Sequence, residues 1–346
     1  MKKKNPKTTR KPVLIDLALQ GGGAHGAFTW GVLDRLLEEP WLKVEGISGT
    51  SAGAMNAVVM AHGLVTDGPE GARAALEDFW KRVSDAALLS PFRRGPLEIM
   101  TGQWTLDYSP AFVAADLAAR VFSPYDLNAA GANPLNQILV DCVDFGRLAD
   151  AKPLLFVTAT NVRTGRGRVF RNADLSPEVL MASACLPTLF QAVEIDGEAY
   201  WDGGYAGNPT ITPLVRECDS RDTILVQINP IERPGTPSSA REIHDRLNEV
   251  SFNAPLMKEL RMAALLRRVA DPGRGEGAVW AQMRMHRIAS DVMLSLGYSS
   301  KLLAEWAFFC MLRDEGRDAA AAFLDAHGRD VGVRSTLDID ALIEEA

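Results

Sequence analysis

Twice near its start the chain runs from an apolar stretch through a small-residue turn directly into a helical stretch, and this repetition restricts the fold more than any other feature. VLIDLAL at 13–19 reads as a buried strand, QGGGAHG follows at once, and AHGAFTWGVLDRLLEE at 24–39 has helical apolar spacing until Pro40. KVEGIS then gives a second strand, GTSAG a second turn, and AMNAVVMAHG a second helix. PLLFVTATN at 153–161 and TILVQINP at 223–230 add apolar strands, and VEIDGEAYWDGG reads as paired strands about Asp196-Gly197. Residues 70–150 look largely helical. Strands alternating with helices predict an α/β fold whose mostly parallel sheet is covered on both faces.

After RPGTPSS at 233–239 strands are expected to cease and helical, Arg- and Met-rich periodicity to take over. The expected organisation is a basic disordered tail over 1–12, a catalytic domain over 13–238, and a helical region over 239–346 that packs on or caps it.

The first turn matches Gly-x-Gly-x-x-Gly through Gly21, Gly23 and Gly26, which raises dinucleotide binding. That fold needs an acidic residue at the end of the next strand, where this chain has Ile47-Ser48-Gly49, with Glu45 poorly placed. The other readings are a plain structural turn, or a loop whose backbone N–H groups crowd around a developing oxyanion. The second turn, Gly49-Thr50-Ser51-Ala52-Gly53, matches Gly-x-Ser-x-Gly, in which a strained strand-to-helix turn exposes the serine hydroxyl.

A serine nucleophile needs a base. His62 lies in the helix after the serine, and His244, His286 and His327 stand in helical-looking, charged surroundings (REIHDRL, MRMHRIA, LDAHGRD) rather than at strand ends. Asp202 does close a strand, in Trp201-Asp202-Gly203-Gly204, where two glycines let a hydroxyl approach. A carboxylate within ~2.6–3.2 Å of a hydroxyl can serve as general base. Asp-Gly as an ordinary turn remains the competing reading.

Together, GGGAHGAF, GTSAG and ASACLPTLFQAVEIDGEAYWDGGYAGNP resemble the patatin-like phospholipase family over roughly residues 13–230. The resemblance implies a three-layer α/β/α fold and a serine acyl hydrolase of lipid esters that works through a Ser-Asp dyad and an acyl-enzyme, with neither metal nor other cofactor. By motif position it implies Ser51 as nucleophile and Asp202 as base. It puts Gly21, Gly22, Gly23 and Ala52 at the oxyanion hole, with Gly26, Gly49, Gly53, Gly203 and Gly204 as motif support. One departure is His25, where the family often carries Arg or Lys; a structural role is the simpler account. Two alternatives stand beside this reading: a Ser-His-Asp esterase or thioesterase, with His286 as the base, and a lipid-binding protein that keeps the fold without turnover.

A net charge of -7 excludes the basic field that a nucleic-acid partner requires. No apolar run reaches the ~18 residues of a membrane span. Cys142, Cys185, Cys218 and Cys310 are scattered without CxxC pairing, so a reducing cytoplasm is expected. Met257, Leu260, Met262, Leu265, Leu266 and Val269, interleaved with Lys258, Arg261, Arg267 and Arg268, read either as a helix lying on anionic lipid or, more commonly for such stripes, as one packed on the sheet. The aromatic-rich stretch 299–325 is expected to pack against the catalytic layer and shape an acyl pocket.

Overall fold

The computed structural model describes residues 10–128, 131, 133–271, 273 and 275–341. The expected basic tail lies, up to residue 9, outside the described residues. Arg10 is held in place: its guanidinium donates to the carbonyls of Gly328 (2.5 Å) and Val331 (2.7 Å) and stands 3.5 Å over the Trp41 ring.

Both strand-turn-helix units form. β1 (Val13–Leu19) leads through a 3-10 turn into α1 (Gly26–Leu36), and β2 (Leu42–Gly49) leads into α2 (Ala52–Ala86). α2 breaks at Asp67 and Gly68, just ahead of Pro69, whose ring cannot sit in a continuous helix. The predicted helical middle becomes α3 (Pro96–Met100), α4 (Pro110–Ala119), α5 (Pro124–Leu127), α6 (Pro134–Cys142) and α7 (Phe145–Leu148). β3 (Leu154–Asn161), β4 (Gly167–Arg171), α8 (Pro177–Ser183), β5 (Val193–Ile195), β6 (Glu198–Asp202), α9 (Thr212–Glu217) and β7 (Asp222–Val226) follow. The chain then forms α10 (Ala240–Val269), α11 (Gly275–Gln282), β8 (Arg284–Ile288) and α12 (Trp306–His327).

The sheet runs β5-β6-β3-β2-β1-β7-β8, with β4 also on β3. The β3-β2-β1-β7-β8 stretch is parallel, while β4 and β6 run antiparallel to β3 and β5 runs antiparallel to β6. Successive residues of β1 serve opposite faces. Ile15, Leu17 and Leu19 join a core with α1, α2 and α12, whereas Ala18 joins a second with α9 and α10. Burial on both sides explains why VLIDLAL is nearly unbroken by polar residues, and it produces the three layers. α12 lies along α1, with Trp30 against Trp306 at 5.8 Å and Phe28 and Phe308 fully buried. Each such aromatic burial contributes about 1.5–3 kcal/mol.

Strands do not cease after residue 239. Arg284–Ile288 pairs in parallel with β7, which would otherwise present a row of unpaired backbone groups at the sheet edge. MRMHRIA spaces its apolar residues in a way that suits a short helix or a strand equally, and the open edge of β7 decides between them. His286 accordingly sits on a strand rather than a helix face.

Candidate active site

Parallel strands deliver their outgoing turns to one edge of the sheet, so both glycine-bearing turns open at the same place. Leu19 at the end of β1 is opposite Gly49 at the end of β2, and Gly49 is opposite Val157 of β3. Two residues further along β3, Ala159 is opposite Asp202 at the end of β6. Register alone therefore carries Ser51, two residues past Gly49, and Asp202 to the same level.

Ser51 has φ 54° and ψ −125°, a conformation costly for a residue with a side chain, and stands immediately before the first turn of α2. The strain is held from several sides. The Ser51 N–H donates to Ser183 Oγ (2.9 Å), which in turn donates to the Thr158 carbonyl (2.7 Å). Thr50 Oγ1 donates to the Gly207 carbonyl (2.7 Å), and the Gly53 N–H to the Thr50 carbonyl (2.8 Å). Gly53 is required by space, since a Cβ there would lie 2.2 Å from the Leu19 carbonyl oxygen. A Cβ on Gly21 would lie 2.7 Å from that of Ser51, so the glycine loop rests against the serine.

Asp202 is 1% exposed. Its N–H donates to the Cys185 carbonyl (2.7 Å), its carbonyl accepts from Thr160 Oγ1 (2.8 Å), and its Oδ1 accepts from the Gly204 N–H (2.7 Å). Burial pushes its carboxyl up from 3.8 to about 7, against the opposing pull of the Gly204 amide, the nearby Ser51 hydroxyl and the positive charge of Lys301. Ser51 and Asp202 thus lie at the same level of the sheet, with the Ser51 hydroxyl near enough to lower the pKa of the Asp202 carboxyl.

The glycine loop is more divided than its sequence suggests. The Gly21 N–H, expected among the oxyanion donors, is already donated to Asn208 Oδ1 (2.7 Å). Gly21 therefore shapes the loop, while the amides of Gly22, Gly23 and Ala52 have no acceptor among the described residues. Ala52 opens α2, so its amide also carries the positive end of that helix dipole. Gly26 begins α1, Gly49 closes β2, and Gly203 and Gly204 form the turn beyond β6.

The five histidines are engaged elsewhere. Buried His25 meets Ser300 Oγ at 2.7 Å. That hydroxyl already donates to the Gly297 carbonyl (2.7 Å), so His25 Nε2 carries the proton. Burial, assisted by Lys301, holds the His25 pKa well below 6.5, and the ring is a neutral structural peg. His62 accepts from the Asp144 N–H (3.3 Å), His244 meets the Tyr298 ring edge-to-face (5.0 Å) and His327 faces Asp330 (3.5 Å). His286, the sequence's candidate for a triad, bonds Asp222 (3.0 Å) and Thr336 (3.0 Å). Asp222 begins β7, so that pair lies toward the opposite end of the sheet from Ser51.

Several supporting residues carry no sequence signal of their own. Ser183 and Asn208 lie in or beside the long ASACLP…GNP motif, yet nothing in the pattern shows that one holds the Ser51 amide and the other the Gly21 amide. Lys301 is more than ninety positions beyond Asp202, with no motif around it.

The sequence profile described as Patatin-like phospholipase matches residues 17–215. Comparison with curated proteins yields no match. Among solved structures, the chain is similar to VipD from Legionella pneumophila, with 18% identity and a TM-score of 0.41, over 92% of this chain and 67% of that one. It is also similar to human GIVD cytosolic phospholipase A2 in complex with methyl gamma-linolenyl fluorophosphonate, with 14% identity and a TM-score of 0.40, over 95% of this chain and 60% of that one.

Proposed function

The chain belongs to the patatin-like phospholipase family and is a lipolytic hydrolase, and from that premise we propose that it cleaves carboxylic esters of lipids through a Ser51–Asp202 dyad and an acyl-enzyme. One observation supports this above the rest: a strained serine at a strand-to-helix turn stands near a buried carboxylate whose pKa of about 7 suits a base working near neutral pH. Asp202 takes the Ser51 proton as Oγ bonds to the ester carbonyl carbon. The oxyanion is received by the amides of Gly22, Gly23 and Ala52, each such donor contributing about 2.7–4 kcal/mol to lowering the barrier. The leaving alkoxide takes the proton from Asp202, and a water activated by the same carboxylate then releases the acid and restores Ser51. With every histidine engaged elsewhere, the dyad is favoured over a Ser-His-Asp triad.

The proposed lipid approach is peripheral, by a protein residing in the cytoplasm. No helix among the described residues is long and apolar enough to cross a membrane. Of the stripe expected at 257–269, Leu260 is buried in the second core with Leu225 and Met285, whereas Met262, Leu265 and Val269 are exposed, so α10 packs by one face and keeps these apolar side chains on its surface. Among the described residues, more than half of the exposed large apolar side chains lie between Leu88 and Leu127, among them Leu89, Met100, Leu117, Val121 and Phe122. α4 is apolar yet has no buried residue. Beside it an open groove of about 800 Å³ runs along α10, walled by Phe112, Val113, Leu117, Leu189, Ile243 and Leu247. A bilayer surface or lipid acyl chain would cover this apolar area, which water alone leaves costly.

The dyad is tested by incubating wild type and the Ser51→Ala variant with p-nitrophenyl butyrate and a fluorophosphonate probe. Loss of both turnover and labelling in the variant is expected; hydrolysis at the wild-type rate would refute the assignment.

A further inference from the structure

Beneath the glycine loop lies an ammonium group that the proposed reaction does not use directly. Lys301 sits in a 3-10 turn, Tyr298–Leu302, and its Nζ donates to Asn229 Oδ1 (2.8 Å) and Asn248 Oδ1 (2.6 Å). An ammonium only donates, so the Asn229 oxygen must face Lys301 and its amide nitrogen must face the other way. That nitrogen donates to the Gly21 carbonyl (2.8 Å). A trans peptide points its C=O and N–H in opposite directions. Fixing the Gly21 carbonyl on Asn229 therefore turns the Gly22 N–H, the next donor of the proposed oxyanion hole, away from the Asn229 side.

The same short turn braces the loop through its backbone. Gly23 has φ +59°, and a Cβ there would lie 2.4 Å from the Lys301 carbonyl oxygen, so loop and turn are in direct contact. The neighbouring Ser300 holds His25 at the entry to α1. Position 25 carries a neutral ring here, and the cation at the loop arrives from residue 301, outside the segment that matches the family profile.

We propose that Lys301 is the positioning residue of the oxyanion loop, orienting the Gly21–Gly22 peptide through Asn229 for the reaction at Ser51. The inference rests on the Ser51–Asp202 reading and adds a part to it. Lys301 also acts on the base. Its charge favours the ionised form of Asp202, while burial disfavours its own charge and Glu249, Asp245 and Asp202 support it. The other ionisable groups that sense this centre are Cys185 and Tyr205, both facing Asp202, and His25, facing Lys301.

The test uses the full chain and p-nitrophenyl butyrate, comparing wild type, Lys301→Met and Lys301→Arg. A loop left slightly misaligned should lower kcat of Lys301→Met about 10- to 100-fold with KM within about threefold. Its acid limb in kcat/KM against pH should move to higher pH, because Asp202 loses a stabilising charge; a merely structural lysine would not move that limb. Lys301→Arg should recover most of kcat and return the limb toward wild type. A folded Lys301→Met variant with wild-type kcat or an unmoved acid limb would overturn the inference. Should Lys301→Met fail to fold, Asn248→Ala carries the test: a kcat loss of at least about threefold is expected, and unchanged kcat overturns it. Failure of the dyad itself reads differently, since Ser51→Ala would then keep its turnover.

Discussion

Replacing Asp202 by asparagine should separate the stability and the activity of one buried carboxyl. Burial raises its pKa from 3.8 to about 7. Between these values the folded chain keeps the proton that the unfolded chain has released, so stability falls as pH rises through the window and stays lower above it. At about 1.4 kcal/mol per unit, the full penalty at pH 8 is about 4 kcal/mol, against about 1.6 kcal/mol at pH 5. Asparagine is nearly isosteric and its carbonyl can still accept from the Gly204 N–H, but it never carries the charge. The stability difference between Asp202→Asn and wild type should therefore swing in the variant's favour by about 2.5 kcal/mol between pH 5 and pH 8. Any fixed cost of the buried NH2 group cancels in that comparison. Urea unfolding at the two pH values, with m-values checked for equality, measures it. Turnover of a short ester should fall about 10²- to 10⁴-fold in the same variant, as expected for a missing general base. A stability difference that does not change with pH, or turnover that survives, would refute the reasoning.

Other outcomes follow from the same geometry. His286→Ala should leave ester turnover intact, because the ring serves Asp222. Although burial alone would raise Asp222, bonds from His286, Arg284 and the Gly332 amide bring it down to about 2. The stability that this carboxylate contributes is thus present above about pH 4 and lost as pH falls through 2, and the variant should lose about 1–3 kcal/mol at pH 7 in thermal or urea unfolding. Loss of turnover without loss of stability would revive the histidine triad. Val113→Glu and Leu117→Glu should weaken flotation with anionic phospholipid vesicles while leaving p-nitrophenyl butyrate hydrolysis unchanged; undiminished flotation would remove the proposed lipid surface.

Local pattern determined a good deal of this protein. The largely apolar runs at 13–19 and 153–161, interrupted at Asp16 and by the threonines of the second, are best satisfied by burial on both faces, which points to a covered parallel sheet. The Ser51 turn was legible because its backbone requirement is local: small residues must flank a serine forced into an unfavourable conformation. Asp202 was legible for a similar reason, at a strand end followed by two glycines.

Tertiary structure alone decided what depends on partners distant in the chain. β8 is a strand because β7 has an open edge, a fact that no window around MRMHRIA contains. Gly21 loses its amide to Asn208, Ser51 gains Ser183, and Lys301 reaches the glycine loop through Asn229, since buried polar groups bond whatever the fold brings within reach. Sequence spacing records which conformations the backbone can afford locally; only the packed chain determines which donor meets which acceptor.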